Sequence, residues 1–486
     1  MKKQLLLITI IPVCLFIGCN SDSSGNSKEE PPEVITIDST NRADKGGSGV
    51  MLQGFTWSRP DDEGSWYTTI SNNAAEIKDT FEYVWFPPAS DCADSNGNGY
   101  LPRQLNLLTQ AYTKNGTHSS TGAYSKFYGT EEQLKQSIKD IGPAKAIADV
   151  VINHRCGTTD WGDFTNPEWG VVKNKNYSAI CNDDEGFSNN KTDMYGAKYK
   201  GTSDTGEGYN AARDIDHTND AVQDGRVTWM NGVLKNAGFV GWRYDMVKGY
   251  DGVYTGYYNA QTTPEFSVGE YWDGSYDKIY SWLERTVQPN RNISGKPSRA
   301  FDFVLKYSLN GVFGTQEGQP NSNYSKLAAT SNLYKSLPGY AVTFIDNHDT
   351  GSTQKTCPLD PEDIGTAYAF ILTHPGYPCV AWYHYFAASD CPSDADSQYI
   401  GDSIVPGTEM TYHDFIKKLI NLRKEVGLND MSEIKIINSV STQYVAEVQG
   451  TDSSVIVALG AQYILSDGYT EYNEIYSGTN FQIFRK

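Results

Sequence analysis

Between Val50 and Gly427 the sequence keeps returning to one alternation, a short apolar run suited to a buried strand followed by a longer stretch with helical spacing. Phe81-Glu82-Tyr83-Val84-Trp85-Phe86 is a strand candidate closed by Pro87-Pro88. Glu131 to Ile141 reads as a helix, and Ala146 to Ile152 as the next strand. Val227 to Ala237 is again helical and leads into the strand candidate Phe239 to Tyr244. Strand-then-helix repetition implies parallel strands joined by crossover helices. Sustained over roughly 360 residues, it favours a sheet closed on itself, a (β/α)8 barrel, over an open sheet.

Two stretches break the rhythm. Residues 154–214 are rich in Gly, Asn, Asp and Thr and lack helical periodicity, and an irregular stretch of that length inside a compact domain is usually functional. An amphipathic helix from His413 to Val426 ends at Gly427. The short runs beyond it, Tyr444 to Val448 and Ser454 to Leu459, predict a small antiparallel sheet. The expected plan is a barrel over 48–153 and 215–428, an excursion over 154–214 and a C-terminal β domain over 429–486.

The N-terminus carries an address. Lys2 and Lys3 precede an apolar run from Leu5 to Ile17, too short for a membrane span and right for the core of a signal peptide. The run ends Phe16-Ile17-Gly18-Cys19, which resembles a bacterial lipoprotein cleavage box with Cys19 acylated. Residues 20–47 offer little to bury and are expected to form a flexible tether. The expectation is an exported chain, lipid-anchored to the cell envelope or secreted, that meets a membrane only through Cys19. The chain is expected to act as a monomer. Its 59 acidic and 40 basic side chains give a net charge of -19, which argues against a nucleic-acid partner. Of eight cysteines, Cys14 and Cys19 fall in the address, and no C-x-x-C pair suggests structural zinc. Cys156 and Cys181 flank one segment and could pair in an oxidising compartment; the sequence leaves that open.

Four segments place polar residues directly after strand-like runs, where a βα barrel presents its catalytic groups. They are Asp149-Val150-Val151-Ile152-Asn153-His154, Gly241-Trp242-Arg243-Tyr244-Asp245, Val268-Gly269-Glu270-Tyr271-Trp272 and Phe344-Ile345-Asp346-Asn347-His348-Asp349. Arg243 precedes Asp245 by two, so strand alternation turns both side chains to one face, toward the barrel interior.

In this order the segments resemble the four hallmark regions of the α-amylase family, glycoside hydrolase family 13, and the likeness is greatest to plant-type members. Gln53-Gly54-Phe55, Gly99-Tyr100-Leu101-Pro102, Asp204-Thr205-Gly206, Asp214-Ile215-Asp216-His217, Lys248-Gly249-Tyr250 and the run from Asn347 to Gln354 extend the likeness from about Val50 to the C-terminus. It implies an α/β fold, a TIM barrel with an irregular domain B after strand 3 and a C-terminal antiparallel β-sheet domain. It also implies an α-glucan substrate, for which the 33 Tyr and 10 Trp offer flat apolar faces to sugar rings.

Glycoside hydrolysis needs one carboxylate at the anomeric carbon and one carboxylic acid to protonate the leaving oxygen. The resemblance implies Asp245 as nucleophile, Glu270 as general acid/base and Asp349 as the carboxylate that binds sugar hydroxyls and helps distort the ring. Arg243 is the cation beside Asp245. His154 and His348 are implied to hydrogen-bond the sugar at the cleavage site and Tyr100 to stack on it, with Lys248 and Trp272 on the leaving-group side. The implied cofactor is Ca2+, which takes oxygen ligands: side chains of Asn153, Asp204 and Asp214, and carbonyls at Glu207 and Gly249.

Some positions depart from the plant-type pattern. Gly208 stands where a further acidic ligand is expected, which removes support for additional calcium ions, and the stretch from Gly157 to Trp169 is short and dissimilar. Arg103-Gln104-Leu105-Asn106 differs after Tyr100 and Pro102, and Ala387 to Gly407 is long and rich in Ser and Asp. Ala300-Phe301-Asp302-Phe303 also resembles enzymes that release maltooligosaccharides of one length. Endo-hydrolysis of α-1,4 bonds is the expected activity. The alternatives are such an exo-amylase, a transglycosylase and, in another class, a non-catalytic starch-binding surface lipoprotein.

Overall fold

The computed structural model describes residues 35–486 apart from 58–65, 94–97, 109–127, 158–161, 163, 170–177, 185–200, 210–211, 315–322, 352–353 and 391–398. The signal segment, Cys19 and residues 20–34 of the expected tether lie outside the described residues, as do parts of the excursion and of the segment from Ala387 to Gly407. Eight parallel strands close a barrel: β1 Met51–Gln53, β2 Tyr83–Trp85, β3 Lys145–Val150, β4 Gly241–Tyr244, β5 Ser267–Gly269, β6 Arg299–Phe301, β7 Ala341–Phe344 and β8 Tyr377–Ala381. The ring runs in chain order and β1 pairs with β8, Met51 opposite Cys379. Parallel strands covered by helices are buried on both faces, which is why these strands are fully buried and read as apolar runs.

The helices carry their own start and stop signals. α1, Trp66–Asn72, follows β1, and α2, Glu131–Asp140, opens on a capping box in which the Thr130 side chain accepts from Gln133 N and the Gln133 side chain bonds back to Thr130 N. α3 runs from Asp220 to Trp229 and continues through a π turn to Ala237, so it begins seven residues before the expected Val227. The Asn219 side chain sets that start by accepting from Ala221 N, and the polar first turn hides it from apolar periodicity. α4 Gly252–Thr262, α5 Tyr276–Thr286, α6 Phe303–Phe313 and α7 Ile364–Ile371 follow their strands. α8, Tyr412–Val426, ends at Gly427 with φ +75°, where a Cβ would collide with the Thr451 hydroxyl.

Beyond α8 a five-stranded antiparallel sheet is ordered β9-β10-β11-β13-β12, with β9 Glu433–Val440, β10 Gln443–Gln449, β11 Ser454–Gly460, β12 Asn473–Gly478 and β13 Phe481–Arg485. Alternate residues split between its faces: Tyr444, Ala446, Val455 and Val457 join the main core, while Val445, Ile456 and Ala458 pack with Tyr472 and Phe484 on the other side. The excursion leaves and rejoins the barrel as a two-residue ribbon, His154 opposite Asp214 and Arg155 opposite Arg213. Among the described residues no helix is long and apolar enough to cross a membrane.

Residues 35–47 correct the expected tether. Ile37 is buried, and Asp44 accepts two hydrogen bonds from Arg299 at 2.6 and 2.8 Å. A segment with little to bury still docks here because a buried guanidinium needs its carboxylate. Cys156 and Cys181 are free, buried thiols on different backbone partners, Cys156 N donating to Pro102 O and Cys181 N to Asp214 O.

Candidate active site

The floor of the site is a single guanidinium. Arg243 on β4 stands opposite Asp149 on β3, and both side chains enter the barrel. Arg243 Nη1 donates to Asp149 at 2.9 and 3.0 Å and to Asp245 Oδ1 at 2.8 Å, while Nη2 lies 2.6 Å from Glu270 Oε1. The expected same-face placement of Arg243 and Asp245 is met. Trp85 closes the other side: its Nε1 donates to Asp149 at 3.0 Å and its ring lies 4.7 Å beneath the guanidinium carbon.

Three carboxylates on one cation leave an excess of negative charge in a buried place. Burial pushes Glu270 up to about 8; Arg243 opposes this, and the charges of Asp245 and Asp349 add to it. Burial likewise raises Asp149 to about 7 and Asp349 to about 6, and again Arg243 opposes the rise. Glu270 is fixed by its own N–H to Tyr244 O at 2.9 Å, and its Oε2 accepts from Met246 N at 3.1 Å. Met246 reaches that bond by adopting φ +42° immediately after Asp245, a left-handed conformation of the kind retained where a site requires it.

A second layer sets the histidine on β7's loop. Gln53 Nε2 donates to His348 Nδ1 at 2.8 Å, which leaves the ring proton on Nε2, 2.9 Å from Tyr100 Oη and 3.3 Å from Asp349 Oδ2. Tyr100 O–H donates onward to Asp149 at 2.8 Å. Burial and the nearby Arg243 hold His348 well below its ordinary value, so it is neutral. Trp57, Tyr100 and His348 are near parallel, with centroids 5.4 to 6.0 Å apart. Asp349 Oδ1 accepts from Gln354 Nε2 at 3.2 Å.

The remaining expected residues fall around this centre. His154 is buried, its Nε2 donates to Tyr100 O at 2.7 Å, and Tyr209 stacks on its ring at 4.0 Å. Lys248 Nζ pairs with Glu207 Oε2 at 2.9 Å beside a cavity of about 460 Å³ that Tyr250, Tyr271 and Trp282 also line. Trp272 lies on Phe303, with ring centroids 5.2 Å apart, and donates to Tyr307 Oη at 3.0 Å. Gln53, Trp57, Trp85, Asp149 and Tyr209 were not among the expected site residues. Asp149 could have been found by pairing its strand with Arg243; Tyr209 comes from the irregular excursion, where no period points at the cleft. The departure at Arg103 is structural, since its guanidinium pairs with buried Asp91 at 2.6 Å.

The expected metal ligands lie in two adjoining strips. Asn153 Nδ2 lies 3.3 Å from Asp214 Oδ1, and its amide packs so closely on Gly249 that a Cβ there would collide with Oδ1. Glu207 N donates to Lys248 O at 2.9 Å, and Gly206 packs on Gly249, so the Asp204–Glu207 turn rests against the same backbone. Among the described residues no three His, Cys, Asp or Glu side chains converge as for a metal ion. The group is instead one of amide, carboxylate and carbonyl oxygens, the donor chemistry of a hard cation such as calcium.

Acid chemistry near neutrality, set beside a second buried carboxylate on the C-terminal rim of a (β/α)8 barrel, defines a glycoside hydrolase of the barrel class. The family model described as "Glucan 1,4-alpha-maltotetraohydrolase, domain C" matches residues 409–467. The curated proteins that the chain resembles are named α-amylases, from plants and bacteria, and glucan 1,4-alpha-maltotetraohydrolases. It is 29% identical over 425 residues to the Arabidopsis thaliana protein named Probable alpha-amylase 2, spanning 84% of this chain and 87% of that one. It is 29% identical to the glucan 1,4-alpha-maltotetraohydrolase of Stutzerimonas stutzeri over 86% of this chain and 69% of the relative. An Anoxybacillus α-amylase shares the fold with a TM-score of 0.62 at 14% identity, covering 90% of this chain and 97% of that structure.

Proposed function

We propose that the protein is an α-amylase that cleaves internal α-1,4-glucosidic bonds of starch- or glycogen-like polymers with retention of configuration. The observation that carries this is Arg243 joined to both Asp245 and Glu270, with Glu270 held up at about 8 and therefore protonated at neutral pH. Two carboxyls on one guanidinium suit the close spacing of retaining enzymes, about 5–5.5 Å, better than that of inverting ones. The Glu270 O–H protonates the glycosidic oxygen while the Asp245 carboxylate attacks the anomeric carbon, so the C–O bond breaks and a glycosyl ester forms. Glu270, now ionised, takes a proton from water; the hydroxide oxygen attacks the same carbon and Asp245 leaves. Asp349 and His348 bind the hydroxyls of the distorted sugar, and Tyr100 lines that subsite.

Asn153, Asp204 and Asp214, with carbonyls at Glu207 and Gly249, would hold one calcium ion. Bound there it would supply no reaction chemistry and would instead tie the excursion, through Asp204, Glu207 and Asp214, to Gly249 in the loop after β4. We read the leader as an export signal with a lipid anchor on Cys19, which leaves the enzyme on the cell envelope. A second reading, release of maltooligosaccharides from chain ends, draws on the match of residues 409–467 to a maltotetraohydrolase domain.

The test is reducing-end release from soluble starch by the native chain and by Glu270→Gln, with calcium and after chelation, alongside viscosity. Rapid viscosity loss marks internal cutting; slow loss with a single oligosaccharide product favours the second reading. Activity in the native chain that collapses in the variant supports the assignment. Glucan binding without cleavage by the calcium-loaded native chain would sink it.

A further inference from the structure

Under the loop that follows β7 lies a buried cation with no part in the chemistry above. Lys306, in the first turn of α6, is fully buried, and its Nζ donates to Asp346 Oδ1 at 2.6 Å. Asp346 is the hub of a closed network. Its Oδ1 also accepts from Thr350 Oγ1 at 3.1 Å, and its Oδ2 accepts from Leu359 N at 3.2 Å. Thr350 Oγ1 in turn accepts from Asn347 N at 2.9 Å, while Asn347 Oδ1 accepts from the N–H groups of Asp349 and Thr350 at 3.0 and 2.9 Å. The turn held this way is the one that carries His348 and Asp349.

The other end of the strut is also fixed. Asp302 caps α6 by accepting from Leu305 N at 2.9 Å, and its second oxygen accepts from Tyr334 N at 2.8 Å. Lys306 therefore projects from a helix turn that is itself pinned to the segment before β7. A long lysine stem can swing, but here burial leaves it no room to do so. A methionine would fill the same space without burying a charge, yet it could not donate to Asp346. A buried lysine at this place is best accounted for by the hydrogen bond it makes.

We propose that Lys306 is a positioning residue: acting through Asp346, it holds the turn from Asp346 to Thr350 in the conformation that presents His348 and Asp349 to the cleft. The proposal rests on the reading of the site as a glycoside hydrolase. Lys306 touches no substrate, and its effect is on the placement of groups that do.

The experiment compares native enzyme, Lys306→Met and the double variant Lys306→Met/Asp346→Asn. It measures kcat and KM on a chromogenic maltooligosaccharide, active-site titration by a slow fluoroglycoside, Tm, and amide exchange over 346–351. For Lys306→Met the expected result is a fall in kcat per active site of about 10²-fold, because small misplacements of reacting groups cost that much, with KM nearly unchanged. Exchange in the turn should quicken while that of β11 stays native. The double variant removes the unpaired buried charge, so its Tm should recover while kcat stays low. If kcat per active site is native in Lys306→Met, or recovers together with Tm in the double variant, Lys306 is merely structural and the proposal is overturned. Should the native enzyme itself cleave nothing, the hydrolase reading has failed, and amide exchange still decides whether Lys306 holds the turn.

Discussion

Two buried arginines mark the two ends of the barrel, and they are put to opposite uses. Arg243, near the end of β4, faces Asp149, Asp245 and Glu270. Arg299, the first residue of β6, faces Asp44 and Asp430 at 2.6 and 2.8 Å and rests on the rings of Phe266 and Tyr377. Both guanidinia are fully buried, and the acids around each raise them above their ordinary value. The difference is stoichiometry. At the C-terminal end a third acid tips the balance, and burial holds Glu270 protonated at neutral pH. At the N-terminal end two carboxylates from remote parts of the chain, one before β1 and one after α8, close on Arg299, and Arg42 stands 3.3 Å from Asp430, so the charges balance and the result is a clasp. Function at the top of a βα barrel and stability at the bottom follow this division.

The largest effect expected from breaking the upper cluster is that of Glu270→Gln, a fall in kcat of about 10²–10⁴-fold for loss of the acid/base. The same change should stabilise the fold, with a definite pH sign. Glu270 goes from 4.5 in the open chain to about 8 in the fold. Between those values the unfolded chain has released a proton that the native one keeps, so native stability declines as pH rises through that window, by about 1.4 kcal/mol per unit at most. Glutamine has no such dependence. Thermal melts from pH 5 to 8 should therefore show the variant's advantage growing with pH, and the native kcat/KM should decline above about pH 8. A pH-independent difference in Tm would mean Glu270 is not held protonated.

Breaking the lower cluster should do the reverse. Arg299→Met takes the cation from Asp44 and leaves Asp430 to the partly exposed Arg42, and loss of one partner of a buried pair typically costs about 3–5 kcal/mol. Urea melts should register that loss, while kcat per titrated active site stays native. A parallel loss of kcat would erase the contrast between the two ends. Chelation stands between them: if calcium binds as proposed, its removal should lower stability by an amount set by ligand excess, about 4 kcal/mol at a thousandfold above Kd, and Tm with it. Calorimetry with and without added calcium would measure it, and an unchanged Tm would remove the ion from the excursion.

The two ends were not equally legible. The upper one could be read because its residues lie on strands whose period is two and whose ends carry runs such as Gly241-Trp242-Arg243-Tyr244-Asp245; alternation alone turns Arg243 and Asp245 the same way. Asp149 escaped because its partner is set by strand register, which no local pattern contains. Tyr209 and Trp57 lie on irregular backbone that only the closed barrel brings to the cleft. The clasp was invisible for a plainer reason. Asp44 and Arg299 are 255 positions apart, and Asp44 sits in a segment whose composition reads as tether. Long-range ion pairs leave no periodic trace, so composition wrongly released residues 35–47 from the fold.

The smallest test lies farthest from the cleft. Gly427 ends α8 with φ +75°, and its missing side chain lets Thr451 and Asp452 approach the helix end, with Thr451 N donating to Gly427 O at 3.1 Å. Gly427→Ala forces a Cβ into a left-handed residue, a cost of about 1–2 kcal/mol from the backbone alone, and pushes back the turn between β10 and β11. Tm should fall by about 1–2 °C, because at about 2.1 cal/mol/K of unfolding entropy per residue a chain of this size loses about 1 °C per kcal/mol. Turnover should not change, since the turn joins the helix to the C-terminal sheet and bears no cleft residue. A change in kcat from so remote a site would mean that the C-terminal sheet steers the barrel's upper rim, and the division between the two ends would then have to be redrawn.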